Sequence, residues 1–517
     1  MHTTIDEGIA AVRRRPFFAL SLSRSQLLVT AEALGLFILF LLLFAYVQYG
    51  TAGLVGNDGY YHIKLSYLMR QEGLKVAFPW LPLTILNPEA FYDHHLLYHV
   101  YLAIFAPTDP LVDGGLALTT GAKYASILLP ALAFMAVWWL LRGQGVPWPA
   151  IWALGLFALS DPFLYRLSMT RAQSASLLVL VLALHWLLKG RYRLMLPLGF
   201  LYVWLYNAFP LLLLLTGVYM AATWLTERRL VWQPLVYAGV GIVLGLVINP
   251  YFPQNISFII SHIAPKLGDS ATRVGNEWYP YETWTLAQNS TYALLAFLLG
   301  VLALGWQEKR IDRPTLVALG LAVLFGAMLF RSRRFIEYYP AFALLFLALS
   351  STPTLQKWSV EVRHGRYLVP LGLLLMMAFP LYTMVSQGRA AVARSEAPDY
   401  YAQAALWLAN NVPAEEMIFQ TDWDDFPRLF FYNSQHRYLV GLDPTYLELA
   451  DPDLFAEWVE ITRGRISTPS AIIESRFGAR YIFSDLDHRA FLREAAADPR
   501  IEELYRDDHA VILEITP

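Results

Sequence analysis

The chain has 517 residues, 56% of them hydrophobic and only 15% charged, where soluble domains carry about a quarter charged residues. This composition excludes an ordinary soluble globule and predicts a polytopic α-helical membrane protein. A formal net charge of −2 gives no bulk attraction for nucleic acid or for an acidic polymer, and the absence of cysteine excludes disulfides, thiolate metal sites and thiol nucleophiles.

Residues 1–26 carry Arg13, Arg14, Arg15 and Arg24 ahead of an apolar run of about 22 residues with no small-residue cleavage site, which predicts an uncleaved first span. Directly after it the chain reads GNDGYYH, placing Asp58 where hydrocarbon gives way to water. An acid there, beside Tyr60 and Tyr61, is placed to act as a base on an acceptor hydroxyl or amide. It is also suited to cap a helix beginning at Gly59, and the two roles are compatible. The same segment then concentrates His62, Lys64, Glu89, Asp93, His94, His95 and His99. Asp93, His94 and His95 are candidate ligands of a divalent ion, or groups that orient a substrate hydroxyl. His95 and His99 lie four apart and would share one helical face, which serves a structural role equally well.

Further apolar stretches near 120–141, 149–161, 173–189, 194–208, 209–225, 233–250, 290–306, 314–330, 338–351 and 367–387 bring the expected total to about eleven spans. Loops between them alternate between basic and neutral. The basic set comprises the N-terminal arginines, Arg142, Lys189 with Arg191 and Arg193, Arg228 with Arg229, Lys309 with Arg310 and Arg313, and Lys357 with Arg363 and Arg366. The positive-inside rule makes these loops and the N-terminus cytoplasmic. The opposite side then receives three larger pieces: 50–119, 251–289 and everything after about 388.

One loop breaks the rule. RSRRFIEYYP puts Arg331, Arg333 and Arg334 at the external end of a span, where three guanidiniums need an anion. Phosphate is the anion most available at a bilayer surface, and arginine binds it through planar bidentate hydrogen bonds. Snorkelling to ordinary head groups, or a pair with Glu337, is the plainer reading.

Residues 388–517 change character. MIFQT, RYLVGL, RYIFS and VILEIT read as strands and YYAQAALWLANN as a helix, which predicts a small α/β domain outside the membrane, joined to the transmembrane part (1–387) through a polar linker at 388–398.

The Asp within GNDGYYHIKLSYLMR, the long first external loop, the external NEWYPY segment, the arginines near a late span and the Trp-Asp pair of the C-terminal domain together resemble the catalytic subunit of oligosaccharyltransferase, a GT-C glycosyltransferase. The resemblance implies a GT-C-like fold and transfer of a sugar or oligosaccharide from a polyprenyl-(pyro)phosphate donor to an extracytoplasmic acceptor. It implies that Asp58 helps to bind a metal and position the acceptor, and that Glu277, or less well Glu282, engages the acceptor. Arg331, Arg333 or Arg334 would hold the donor phosphate, and Trp423 and Asp424 in TDWDDFPRLFFYN would contact the acceptor. The implied cofactor is a divalent cation, Mg²⁺ or Mn²⁺.

The chain departs from the family at two places. Where the second external loop normally carries a closely spaced acidic pair, LYRLSMTRAQSASLLVL has Ser174 and Ser176, which leaves Arg166 and Arg171 as substitutes that neutralise donor phosphate directly. The family's Trp-Trp-Asp-Tyr-Gly acceptor motif is reduced to Trp423 and Asp424, so a protein, a glycolipid or a polysaccharide acceptor all stay open. A transferase using a polyprenyl-phosphate monosaccharide, a flippase for lipid-linked sugars and a non-catalytic scaffold are the other readings. Transporters place polar groups at mid-membrane, whereas these gather at one face. The resemblance places the chain in a bacterial inner membrane.

Overall fold

The computed structural model of the chain describes residues 23–267, 276–307 and 310–517. Arg13, Arg14, Arg15, Lys309 and the middle of the 251–289 segment lie outside the described residues. Among the described residues six helices are long and apolar enough to cross a bilayer: Arg24–Gln48, Leu116–Gly143, Pro210–Glu227, Thr283–Gly305, Arg313–Arg331 and Gly365–Val392. A seventh span results if Asp161–Ser168 and Gln173–Leu188, bent by 107° at their junction, are counted as one.

The expectation of about eleven spans is thereby corrected. Three of the expected stretches fall on Pro149–Ala158, Tyr192–Leu205 and Gln233–Val247. Even a 15-residue helix reaches only about 23 Å, short of a hydrocarbon core of about 30 Å. The stretch 338–351 is the first half of the helix Tyr339–Glu361, where every residue from Tyr339 to Ser351 is buried by protein. The last of these stretches is apolar because other helices surround it, whereas Gln233–Val247 leaves Val236, Val240, Val243 and Val247 exposed, and hydropathy alone does not distinguish the two surroundings.

Local chemistry sets the ends and contacts of the bundle. Ser23 and Gln26 form a capping box that starts the first helix. That helix and Gly365–Val392 are each only 17% buried over their apolar windows, so they form the outer wall, while Leu116–Gly143, 72% buried, is central. Phe40 and Phe44 close on Phe134 and Phe157, with 4.8 Å between the last two rings. The helices Met195–Leu205 and Gln233–Val247 touch backbone to backbone, since a Cβ at Gly241 would stand 2.1 Å from the Leu196 carbonyl oxygen.

The C-terminal region is a five-stranded mixed sheet: β1 (Met417–Gln420), β2 (Arg437–Tyr438), β3 (Tyr481–Asp485), β4 (Ile501–Arg506) and β5 (Ala510–Ile515), in the order β2-β1-β3-β5-β4. Strand β1 runs parallel to β2 and β3, and β5 antiparallel to β3 and β4. Alternate residues serve two different cores. Phe419, Ile482 and Val511 pack beneath the domain's own helices, whereas Ile418, Phe483 and Ile512 join the core continuous with the bundle. The helix Phe426–Tyr432 carries the domain onto the helix Asp58–Glu72, where Phe431 meets Tyr60 edge-on at 5.3 Å.

Candidate active site

Asp58 is the first residue of the helix Asp58–Glu72 and faces the bend between Asp161–Ser168 and Gln173–Leu188. That bend explains how one short stretch supplies two convergent guanidiniums: Arg166 from the helix before it and Arg171 from the turn itself. Asp58 Oδ2 lies 3.2 Å from Arg171 Nε. Burial raises the pKa of the Asp58 carboxyl and the charge of Glu277 adds to this, against the pull of Arg171.

Glu277 sits at the centre of the cluster. Its Oε2 accepts from Arg166 Nη2 at 3.0 Å and Arg171 Nη1 at 3.4 Å, and its Oε1 accepts from Arg334 Nη1 at 3.1 Å. Burial would raise its pKa, but Arg334, Arg171 and Arg166 together hold it well below the ordinary carboxylate range. Ser332 Oγ donates to the Glu277 carbonyl at 2.9 Å, fixing the segment against the end of Arg313–Arg331. Arg166 also donates through Nε to buried Glu337 at 2.6 Å. Glu282, the other acid of that segment, is occupied elsewhere as the cap of Thr283–Gly305, accepting from Thr285 N.

Of the three arginines in RSRRFIEY, Arg334 enters the site, donating to the Tyr206 hydroxyl and lying 4.7 Å over the Trp278 ring. Arg333 turns away to the Pro280 carbonyl and lies over Tyr281, and Arg331 is exposed. Arg331 ends the helix Arg313–Arg331 while Arg333 and Arg334 lie on a 3₁₀ turn over Arg333–Glu337, and the three side chains diverge.

Two cavities meet at this cluster. A first cavity of about 260 Å³ is walled by His62, His94, His95, Tyr206, Arg334 and Tyr446 among others. A second, of about 450 Å³, is walled by Arg394, Glu396, Trp423, Asp424, Arg428 and Pro444 among others. Asp58, Arg171, Glu277, Trp278 and Asp443 line both.

Trp423 and Asp424 lie on the 3₁₀ turn after β1, and the second cavity is where that turn meets the bundle. Asp424 Oδ2 accepts from Asn57 Nδ2 at 3.0 Å. Burial, with the charges of Asp58 and Asp422, pushes the Asp424 carboxyl up to about 7. Arg428, absent from the candidates read from the sequence, is 2% exposed and donates to Asn57 Oδ1 at 2.9 Å and to the Ala397 carbonyl at 2.7 Å while lying over Tyr60. Asn57 thus joins bundle to domain through partners 367 and 371 residues away. Local pattern carries no signal for such a contact.

The metal set expected from sequence, Asp58, Asp93, His94 and His95, does not come together. Asp93 Oδ2 is bound to His99 Nδ1 at 2.7 Å and Asp93 Oδ1 to the His95 backbone N–H at 3.0 Å. Asp58 already has Arg171 as its counter-charge. Ser174 and Ser176, in place of an acidic pair, spend their hydroxyls on the Leu167 carbonyl and on Tyr202 and Tyr338. With three guanidiniums at the centre, the donor set beside Asp58 does not fit a divalent cation. Among the described residues the one converging set is Asp422, Asp485 and His488, with ligand atoms within 4.8 Å of one another behind the Trp423 turn.

No protein-family model matches the sequence, and no curated protein matches it. Solved structures match in fold. The oligosaccharyltransferase AglB from Archaeoglobus fulgidus, in complex with an inhibitory peptide and a dolichol-phosphate, aligns with a TM-score of 0.65 at 13% identity over 91% of this chain and 71% of that one. The arabinofuranosyltransferase AftD from Mycobacteria gives 0.59 at 14% identity over 96% of this chain and 40% of that one. ArnT from Cupriavidus metallidurans, bound to undecaprenyl phosphate, gives 0.55 at 16% identity over 94% of this chain and 97% of that one. At such identities the likeness is one of fold, and the fold is GT-C-like.

Proposed function

We propose that the chain is a membrane glycosyltransferase that moves a sugar or oligosaccharide from a polyprenyl-(pyro)phosphate carrier to an acceptor group. The observation that carries this reading is the convergence of Arg166, Arg171 and Arg334 on one carboxylate, at a wall shared by two cavities and occupied also by Asp58. The Glu277 carboxylate holds the guanidiniums where a phosphate would lie, and the donor phosphate displaces it. The glycosidic C–O bond then breaks with its electron pair left on phosphate, where preorganised guanidiniums stabilise the developing charge. The acceptor enters from the second cavity past Trp423 and Asp424, its nucleophilic atom bonds to the sugar carbon, and its proton passes to Asp58. A buried carboxyl of raised pKa suits that task.

The dolichol-phosphate and undecaprenyl phosphate in the matching structures support a polyprenyl donor. The site and sheet domain are assigned to the extracytoplasmic face of a bacterial inner membrane, with the N-terminus cytoplasmic, because the basic short loops fall on the other side. Between acceptors, retention of only Trp423 and Asp424 from the peptide-reading motif favours a glycolipid or polysaccharide over a protein.

Mass spectrometry of lipid-linked glycans, glycoproteins and envelope polysaccharides tests the proposal in cells with the wild-type chain, without it, and with Asp58→Asn. Loss of one glycosylated product with accumulation of a lipid-linked donor, shared by null and variant, is expected. Unchanged glycans in all three would overturn it in favour of a flippase or scaffold.

A further inference from the structure

Three side chains of the first loop form a hydrogen-bonded series that the arginine chemistry leaves unused. Asp93 Oδ2 lies 2.7 Å from His99 Nδ1, and His99 Nε2 lies 2.8 Å from His62 Nδ1. All three are buried, at 3% exposure for Asp93 and His62 and none for His99. A carboxylate only accepts, so His99 donates from Nδ1. With the negative charge kept on Asp93 and both rings neutral, His99 Nε2 then accepts from His62 Nδ1–H. His62 lines the first cavity, and the nitrogen it has left is Nε2, carrying a lone pair. Asp93 is itself held, since its Oδ1 takes the His95 N–H.

The place of this lone pair suggests what it meets. His62 stands four residues after Asp58 on one helix, so the two share a face about 6 Å apart along the axis, and Asp58 pairs with Arg171. An anion at Arg171 and a hydroxyl donating to His62 are therefore separated by a span comparable to one sugar ring. Between them the cavity wall is aromatic, with Tyr206 stacked on His95 at 5.4 Å and Trp278 and Tyr446 nearby.

We propose that the Asp93–His99–His62 series fixes His62 as a hydrogen-bond acceptor for a hydroxyl on the first, phosphate-linked sugar of the donor, with Asp93 and His99 as positioning residues. The inference rests on the transferase reading and adds to it a residue that reads the sugar itself. A site built to accept from a hydroxyl discriminates strongly against a ligand that lacks it.

Asp93→Asn is the sharp variant. It keeps the shape, but the amide can donate to His99 Nδ1, which turns every bond of the series around and leaves His62 Nε2 protonated. Tautomer reversal of this kind disables a serine-protease triad of intact geometry. Nitrogen NMR of ¹⁵N-histidine-labelled full-length chain at pH 7, assigned with His62→Gln and His99→Gln, reads the series directly. Nδ1-protonated, neutral His62 and His99 are expected in the wild type and Nε2-protonated rings in Asp93→Asn. A doubly protonated His99, or an Nε2-protonated His62, in the wild type would overturn the proposal.

Native mass spectrometry with undecaprenyl phosphate, and with undecaprenyl-phosphoryl mannose, glucose and arabinose, supplies the second arm. Asp93→Asn and His62→Gln are expected to weaken the best-bound sugar lipid at least about tenfold while leaving undecaprenyl phosphate within about twofold of wild type. Equal weakening of both lipids, or of neither, would overturn the sugar-reading role. Wild-type chain that binds none of the lipids would instead overturn the transferase reading beneath it.

Discussion

The two cavities share a wall and little else. Beyond Asp58, Arg171, Glu277, Trp278, Leu442 and Asp443, the first is faced by histidines, tyrosines and Arg334 among others, and the second by Glu396, Asp424 and Trp423 with Arg394 and Arg428 among others. The first adds Arg334 and flat aromatic rings to the shared wall, which suit an anion joined to a sugar. The second adds the carboxylates of Glu396 and Asp424 beside two arginines, and carboxylates suit a group that donates hydrogen bonds. The transfer proposed above would run across that partition, and Asp58, the first residue of its helix, lies on it.

The largest effect should come from the shared wall. Asp58→Asn is expected to cut transfer by about 10²–10⁴ while donor binding persists, read from turnover of lipid-linked sugar alongside donor affinity. Equal loss of binding and turnover would mean that Asp58 holds the donor. Arg334→Ala, confined to the first cavity, should cost about 10²–10³ in turnover with acceptor KM unchanged. Arg334→Lys should rescue it only partly, because an ammonium lacks the planar fork.

Glu277→Gln removes the anion that occupies the arginine cluster. Calorimetry with inorganic pyrophosphate is expected to show binding tighter by about tenfold. Weaker binding would mean that Glu277 orders the guanidiniums and does not compete for them.

The second cavity is sharpened by pH. The Asp424 carboxyl, at about 7, lies above its ordinary value of 3.8, so the folded chain keeps a proton that the unfolded chain releases between those values. Stability from this group is greatest below the lower value, falls as pH rises to about 7 and is level beyond it. Asp424→Asn should therefore flatten both the melting temperature between pH 5 and 7 and the pH dependence of acceptor use near 7. Trp423→Ala should have the smallest effect, a severalfold rise in acceptor KM with donor KM unchanged.

Each member of the central cluster stood out in the sequence by a local irregularity. Asp58 follows a span, Arg334 breaks the charge rule, Arg166 and Arg171 lie just before Ser174 and Ser176, which replace the acids of the family that the sequence resembles, and Glu277 lies in a loop segment rich in aromatics. Their meeting at one carboxylate was not legible, nor was the divergence of Arg331 and Arg333, because a helix end and a 3₁₀ turn, and not the spacing, decide where those side chains point. The expected metal set failed for a similar reason: neighbours in sequence at Asp93, His94 and His95 point to different partners, and Asp93 is bound to His99.

What the sequence determined by itself are the properties that add up over short windows. The membrane class follows from mean apolarity, the candidate orientation from the distribution of basic residues, and the α/β character of the last 130 or so residues from alternating strands. The tertiary structure decided which apolar helices face lipid and which face protein, where a span bends by 107°, and how Asn57 reaches Asp424 and Arg428. Those outcomes depend on closing loops of up to 371 residues. Their cost grows slowly with length and leaves no local trace, so only packing of the whole chain selects them.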